Sequence, residues 1–110
     1  PKFEDVSFQG KCDVCGQETE VVVAGSACGP VSFSYCRRCL EGRLEPYPFM
    51  AACIACAGQW PDDVNPGFRE LVRRNLSFHG KTEKEFAADV ERAIQVKTQI
   101  DMLPAHEGNP

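Results

Sequence analysis

The chain has 110 residues, of which 43% are hydrophobic and 25% are charged, and it carries a formal net charge of −4. These proportions are typical of a folded globular domain and argue against a disordered or collagen-like chain. An acidic total also disfavours a general nucleic-acid-binding domain, which needs a basic surface. No apolar run reaches the roughly 18 residues of a membrane span and no secretory signal is visible, so we expect a single cytoplasmic domain over 1–110 without a membrane partner.

Cysteine is used far more than in an average protein, with seven in the chain. Six of them form three C-x-x-C pairs, which are Cys12/Cys15, Cys36/Cys39 and Cys53/Cys56. A two-residue spacer allows a tight turn that places both sulfur atoms within reach of one metal ion. An odd total at this spacing argues against a secreted disulfide framework.

The first predicted element is a zinc knuckle at 12–16, in which Gly16 permits the positive φ that turns backbone N–H groups toward the sulfur atoms. A β-hairpin is predicted next. Its first strand covers about 20–24, and its turn is rich in glycine, serine and proline. Its second strand covers 31–35, where apolar residues alternate with serine.

The second C-x-x-C pair follows this strand without a helix-breaking residue. A helix beginning there would place Cys36 and Cys39 in its first turn, where the helix dipole stabilises thiolates. Together with the first pair, the spacing is C-x2-C-x20-C-x2-C, which is typical of a structural zinc site. We therefore predict one structural Zn²⁺ ion per chain, bound by Cys12, Cys15, Cys36 and Cys39. The alternatives are free thiols and a thiol-redox pair.

A knuckle, a hairpin and a helix that carries the second cysteine pair resemble the treble-clef zinc fingers, including the GATA-type and LIM-type half-modules. The resemblance covers about residues 10–45 and implies an α+β fold with a small zinc module at its start. Members of that family bind DNA, bind proteins or brace larger folds. GATA-type fingers that bind DNA have a basic tail after the helix, and the corresponding segment 44–48 is not basic here. The remaining sequence also resembles small uncharacterised bacterial zinc-binding proteins.

The region 46–103 is predicted to be a helical half. Its first helix, at about 48–59, is apolar nearly all round, which is typical of a buried helix. Cys53 and Cys56 are therefore expected to be core thiols. Their spacing also leaves open a second metal site, for which Cys28 could be a further ligand. Outside such a site, Cys28 is expected to be a spare thiol in the hairpin turn.

The two histidines are the other candidates for a second metal site. His79 is expected at a helix end or on the surface. His106 lies in the tail 104–110, which is predicted to be disordered.

Two further helices complete the predicted helical half. The earlier one ends near Gly80, and the later one begins with the capping box Thr82-x-x-Glu85 and continues to about 103. The last helix has an apolar stripe that is suited to covering the zinc module or meeting a partner chain. The members of this stripe are Phe86, Val90, Ala93, Ile94, Ile100 and Leu103.

The sequence contains no nucleotide-binding loop, hydrolase motif or zinc-protease motif, so an enzyme is not expected. The main interpretation is a small intracellular zinc-binding protein that acts as an interaction or accessory module with a protein partner. A nucleic-acid-binding regulator is the alternative, because arginines on two predicted helices would form a basic patch if they share a face. These arginines are Arg37, Arg38, Arg43, Arg69, Arg73 and Arg74.

Overall fold

After one short helix, three antiparallel strands make up the first part of the described chain, and helices make up most of the remainder. The structure is a computed structural model that describes residues 2–58 and 67–103. The elements are α1 (Phe3–Val6), β1 (Phe8–Lys11), β2 (Glu18–Gly25), β3 (Ser32–Cys36), α2 (Arg37–Glu41), α3 (Tyr47–Ala57), α4 (Phe68–His79) and α5 (Glu83–Asp101). This order confirms the predicted α+β class. The tail 104–110 and His106 lie outside the described residues.

The sheet has the strand order β1-β2-β3. The predicted hairpin is β2–β3, in which Val21 is paired with Cys36. On the other side, Val21 is paired with Phe8 of β1, a strand that the sequence did not predict. β1 has only four residues and contains Gly10, which lowers strand propensity. Glycine fits there because an added Cβ would lie 3.1 Å from the Phe8 ring and 3.2 Å from the Val21 side chain.

Buried apolar side chains form two groups. The sheet cluster lies between the strands and α2 and consists of Cys12, Val21, Tyr35, Cys36, Cys39 and Leu44. The helical cluster joins α3, α4 and α5 and consists of Cys28, Met50, Ala51, Ile54, Phe68, Leu71, Val72, Leu76, Phe86 and Val90. The loop between β2 and β3 thus inserts Cys28 into the helical cluster. Cys28 is a free thiol in the hairpin turn, as expected, and it is buried because this loop packs against α3.

Glu45 lies at the junction between the two clusters, with only 3% of its surface exposed. Its carboxylate accepts hydrogen bonds from the Ser26 hydroxyl (2.8 Å), the Ala27 amide (3.1 Å) and the Tyr35 hydroxyl (2.8 Å). Its backbone N–H donates to Asn75 Oδ1 (2.6 Å), and its carbonyl lies 2.9 Å from His79 Nε2. One residue therefore binds the hairpin through its side chain and α4 through its backbone.

α3 agrees with the predicted helix at 48–59, but its burial is one-sided. Met50, Ala51 and Ile54 face the helical cluster, whereas Cys53 is half-buried and Cys56 is exposed. The expectation that both cysteines are core thiols is wrong for Cys56. A helix of small apolar residues gives no periodic signal for the buried face, because alanine and cysteine tolerate either environment.

α4 ends and α5 begins where the sequence predicted. Gly80 ends α4 in the left-handed conformation with φ 69°. The Thr82 hydroxyl accepts from the Glu85 amide (3.0 Å), and the Glu85 carboxylate accepts from the Thr82 amide (2.9 Å). His79 is the last residue of α4, as expected for a helix-end histidine.

The apolar stripe of α5 is buried only in its first half. Phe86 and Val90 are buried, whereas Ile100 is 60% and Leu103 is 61% exposed. α5 packs chiefly on α3 rather than on the sheet, and the two helices have 19 and 11 residues. The longer helix therefore extends about 12 Å further than its neighbour. Within residues 2–58 and 67–103, no helix has both the length and the apolar character needed to cross a lipid bilayer.

Candidate metal centre

The four cysteines that the spacing selected lie together between the sheet and α2. Cys12 and Cys15 come from the turn between β1 and β2, and Cys36 and Cys39 flank the start of α2. Their four sulfur atoms lie within 4.8 Å of one another, and the Cys15 and Cys36 sulfur atoms are 3.9 Å apart. Zinc–sulfur bonds of about 2.3 Å in a tetrahedron require sulfur atoms about 3.8 Å apart. This cysteine cluster therefore has the dimensions to hold one metal ion.

Backbone hydrogen bonds shape the first half of the cysteine cluster. The Cys12 amide donates to the Gln17 carbonyl (2.9 Å), and the Gly16 amide donates to the Cys12 carbonyl (2.9 Å). Gly16 has φ 81°, which confirms the glycine requirement predicted for the knuckle. The Asp13 amide donates to the Ser34 carbonyl (2.8 Å), and the Asp13 carboxylate accepts from the Ser34 amide (2.7 Å). This double contact, which the sequence analysis missed, ties the knuckle to β3.

The second half of the cysteine cluster depends on where β3 becomes α2. Cys36 is the N-cap of α2 and keeps an extended backbone, with φ −74° and ψ 166°. Its amide points at the first pair, donating to Cys12 Sγ over 3.3 Å. Cys39 lies one turn later and is fully buried. The helix start predicted at the second pair is therefore confirmed.

The thiols of the cysteine cluster differ in acidity. Burial raises the pKa of Cys12, but amide donors from Cys15, Cys36 and Val14 outweigh it and lower that pKa from 9.0 to about 7. Burial raises the pKa of Cys39, and hydrogen bonding to Cys36 and the charge of Cys12 raise it further. The thiolate charges oppose one another at this distance. A divalent cation among them would remove that repulsion.

The end of α2 carries the chain from the cysteine cluster to the junction at Glu45. The Leu44 amide donates to the Cys39 carbonyl (3.0 Å), and the Arg43 amide donates to the Leu40 carbonyl (3.2 Å). These two bonds form a Schellman motif, whose turning position is usually glycine. Arg43 occupies it with φ 53° and is the non-glycine residue with positive φ in the described chain. The motif fixes the direction in which Glu45 follows Cys39.

The arginines proposed as a basic patch have different environments. Arg37 pairs with Glu4 (2.5 Å) and Glu41 (3.4 Å), and Arg73 pairs with Glu70 (3.0 Å). Acidic side chains thus neutralise part of the positive charge on both helices, since Arg37 belongs to α2 and Arg73 belongs to α4. α2 and α4 meet where Arg38 lies over Phe78. The six arginines nevertheless differ in their contacts, because Arg37 and Arg73 are paired with carboxylates.

Arg38 is one of the two residues between Cys36 and Cys39, so it lies beside the cysteine cluster. Hydrogen bonding with the Cys15 side chain raises the pKa of Arg38, and the negative charge of Cys39 adds to the effect. The same guanidinium lies over the Phe78 ring of α4, 5.4 Å from its centroid. Arg38 therefore lies next to the cysteine cluster in the chain and contacts a helix of the other half.

The remaining cysteines do not assemble a comparable site. The Cys53 thiol donates to the Cys28 carbonyl. Burial, and then the charge of Glu45, raises the pKa of Cys28 to about 12, which disfavours the thiolate that a metal requires. Across residues 2–58 and 67–103, the cysteine cluster is the group of three or more potential ligands that lie within reach of one ion. His79, another candidate for a second site, contacts the Glu45 carbonyl instead.

The geometry is consistent with a small zinc-finger-like module in which four cysteines close on one ion. The first pair belongs to a turn, and the second pair belongs to the start of a helix. Comparisons with protein-family models, with curated proteins and with solved structures give no match to this chain.

Proposed function

We propose that the cysteine cluster is a structural zinc site and that the protein is a zinc-stabilised interaction or accessory module. Four thiolate ligands favour zinc over magnesium or calcium, which prefer oxygen. Four protein ligands also fill a tetrahedral shell, so no position is left for a substrate or an activated water. This closed ligand set supports a structural role over a catalytic one.

The treble-clef interpretation is part of this proposal. Its support is the order of elements, with a knuckle at 12–16, a hairpin formed by β2 and β3, and a helix that begins at the second cysteine pair. In this arrangement the ion would join the turn before β2 to the start of α2. The strand β1 extends the sheet on the side away from β3.

A protein is the partner that we favour. Val96 and Ile100 lie at helical spacing on α5, Leu103 follows its end, and the three are 52%, 60% and 61% exposed. Such a stripe is suited to an apolar partner surface. The net charge of −4 and the acidic partners of Arg37 and Arg73 weigh against a nucleic acid. Seven free cysteines support a reducing compartment such as the cytoplasm.

The observation that carries the zinc proposal is the convergence of four sulfur atoms within 4.8 Å. Elemental analysis of the purified protein tests it, and we expect about one equivalent of zinc. Cys12→Ser combined with Cys36→Ser should remove the metal. The matched control is Cys53→Ala combined with Cys56→Ala, which should keep all of it. Less than half an equivalent in the unaltered protein would overturn the proposal, and loss of zinc from the control would reveal a second site.

Binding of labelled DNA and RNA at low and moderate salt tests the partner class. We expect no binding that survives moderate salt. Salt-dependent binding that is lost on Arg37→Ala combined with Arg38→Ala would instead support the nucleic-acid alternative.

A further inference from the structure

The third C-x-x-C pair, Cys53/Cys56, takes no part in the proposed metal site. Both residues lie in the last two turns of α3, outside the cysteine cluster. Their surroundings differ, because Cys53 is half-buried and Cys56 is exposed. An accessible thiol with a second thiol close behind it is the arrangement found in reversible thiol redox sites.

The helix sets the distance between the two cysteines. Residues three apart in an α-helix have Cα atoms about 5 Å apart, within the range of about 4.4–6.8 Å that a disulfide accepts. Their Cβ atoms are about 5–6 Å apart, whereas a disulfide requires about 3.5–4.5 Å. Bond formation therefore requires the last turn of α3 to deform. Because α3 ends at Gly58 and helix ends fray, this deformation can stay local.

The Cys53 sulfur atom is covered by the loop between β2 and β3. Its thiol donates to the Cys28 carbonyl, and a Cβ atom added at Gly29 would lie 3.5 Å from the sulfur. Glu45 holds the same loop independently by accepting from the Ala27 amide (3.1 Å). The Cys53 sulfur can therefore leave the Cys28 carbonyl while the loop keeps another attachment.

The two thiols also influence each other electrostatically. Burial, and then the charge of Cys56, raises the pKa of Cys53. A mixed disulfide at Cys56 would remove that second cause, because its sulfur atoms carry no charge. Cys53 thus becomes easier to deprotonate once Cys56 has reacted.

We propose that Cys56 and Cys53 form a redox-active dithiol that exchanges with low-molecular-weight disulfides such as oxidised glutathione. The Cys56 thiolate attacks one sulfur atom of the incoming disulfide, forms a mixed disulfide and releases one thiolate. Cys53 then gives its proton to solvent and attacks the Cys56 sulfur atom. This step closes the Cys53–Cys56 bond and releases the second thiolate. In total the chain loses two electrons and two protons, and the small disulfide becomes two thiols.

The bond should be readily reversible. Its formation deforms the last turn of α3 and removes the hydrogen bond from Cys53 to the Cys28 carbonyl. Both changes favour the reduced state, and strained or exposed disulfides are the ones that small thiols reduce. The pair is therefore suited to reversible exchange rather than to permanent cross-linking.

Peptide mass spectrometry of the full chain tests the proposal. The purified protein is incubated with oxidised glutathione, free thiols are blocked with iodoacetamide, and the chain is digested with trypsin. The tryptic peptide 44–69 contains Cys53, Cys56 and no other cysteine. We expect this peptide to lose two hydrogen atoms and to resist alkylation. Excess reduced glutathione should restore the alkylated form.

Serine variants separate the two steps. Cys53→Ser should stop at a stable glutathione adduct on Cys56. Cys56→Ser should form an adduct roughly tenfold more slowly, because only the half-buried thiol of Cys53 remains in that peptide. The matched control is Cys28→Ala, which removes the thiol of the loop residue beside Cys53 and should leave the rate and the product unchanged.

Three outcomes would overturn the proposal. One is a main product in which 44–69 is cross-linked to 12–37, the tryptic peptide that contains Cys28. Another is a stable glutathione adduct on Cys56 in the unaltered protein. The third is an equal rate of adduct formation in the two serine variants. The proposed zinc site is judged separately, from the metal content of the same samples.

Discussion

The sheet cluster and the helical cluster differ in what fills them. In the helical cluster, Met50, Phe68 and Phe86 are almost completely buried, so large apolar side chains provide the stabilisation. In the sheet cluster, three of the six members are cysteines. The strands β1, β2 and β3 have only four, eight and five residues, so strand pairing alone cannot make the sheet stable. We therefore expect the proposed metal ion, rather than large apolar side chains, to organise the first half of the chain.

Metal removal is expected to have the largest effect and tests this contrast directly. A strong chelator should abolish the hydrogen-exchange protection of residues 20–36 while leaving most of the helical circular-dichroism signal. Structural zinc contributes about 10–16 kcal/mol of apparent binding free energy in small zinc-finger peptides at neutral pH. Lowering the pH should act in the same direction, because protons compete with the ion for the thiolates. If residues 20–36 remain as protected without metal as with it, the metal does not organise this half.

Phe86→Ala should weaken the helical cluster without affecting the metal. Phe86 is 2% exposed, and truncation of a buried phenylalanine costs about 3–5 kcal/mol. We expect that loss in urea unfolding monitored by circular dichroism, together with unchanged zinc content in native buffer. Ile100→Ala is the matched control, because Ile100 is 60% exposed and its truncation should change stability by no more than about 0.5 kcal/mol. Loss of zinc from Phe86→Ala would show that the two clusters are not separately organised.

Glu45→Gln should weaken the junction between the two clusters. The glutamine side chain has only one acceptor oxygen. Its NH₂ group would face the hydroxyl and backbone N–H groups that now donate hydrogen bonds to the carboxylate. We expect a loss of about 1–3 kcal/mol in the free energy of unfolding. The control is Glu41→Gln, an exposed residue that pairs with Arg37 and should have an effect below about 1 kcal/mol. Equal effects of the two substitutions would show that the Glu45 contacts add nothing at the junction.

Arg43→Gly is expected to have the smallest effect, and it should be stabilising. A non-glycine residue in the left-handed region costs about 1–2 kcal/mol, part of which is offset by the greater freedom of glycine in the unfolded chain. We expect a net gain of about 0.5 kcal/mol in chemical denaturation. Arg43→Ala keeps the Cβ atom and should show no such gain. A loss of stability with glycine would indicate that the Arg43 side chain makes a contribution larger than the strain.

The sequence predicted the parts of the site that depend on local chemistry. The C-x-x-C spacing selected Cys12, Cys15, Cys36 and Cys39, which the structure brings together, and their role as zinc ligands stays a prediction. The positive φ of Gly16 was predictable because the knuckle turn requires it. The capping box was also predictable from local sequence, because Thr82 and Glu85 lie within one helical turn.

Features that depend on tertiary contacts could not be predicted from the sequence. β1 pairs with a strand on the far side of the knuckle, and its own four residues carry no strand pattern. Cys28 is buried because its loop meets α3, and Cys56 is exposed because α3 packs on one side only. Arg38 could be placed on a helix from the sequence, but its contact with Phe78 depends on the packing of α4.

The one-sided packing of α5 gives the molecule two methionines of opposite chemical accessibility. Met102 follows the helix and is 77% exposed, whereas Met50 is fully buried in the helical cluster. Peroxide converts methionine to its sulfoxide, and the rate depends on access to the sulfur atom. Met102 should therefore oxidise first, at a site where added polarity costs little. Met50 can then be oxidised only when the helical cluster opens, so its slower oxidation measures how often that opening occurs. Met102 gives the oxidation rate of an exposed methionine in the same chain.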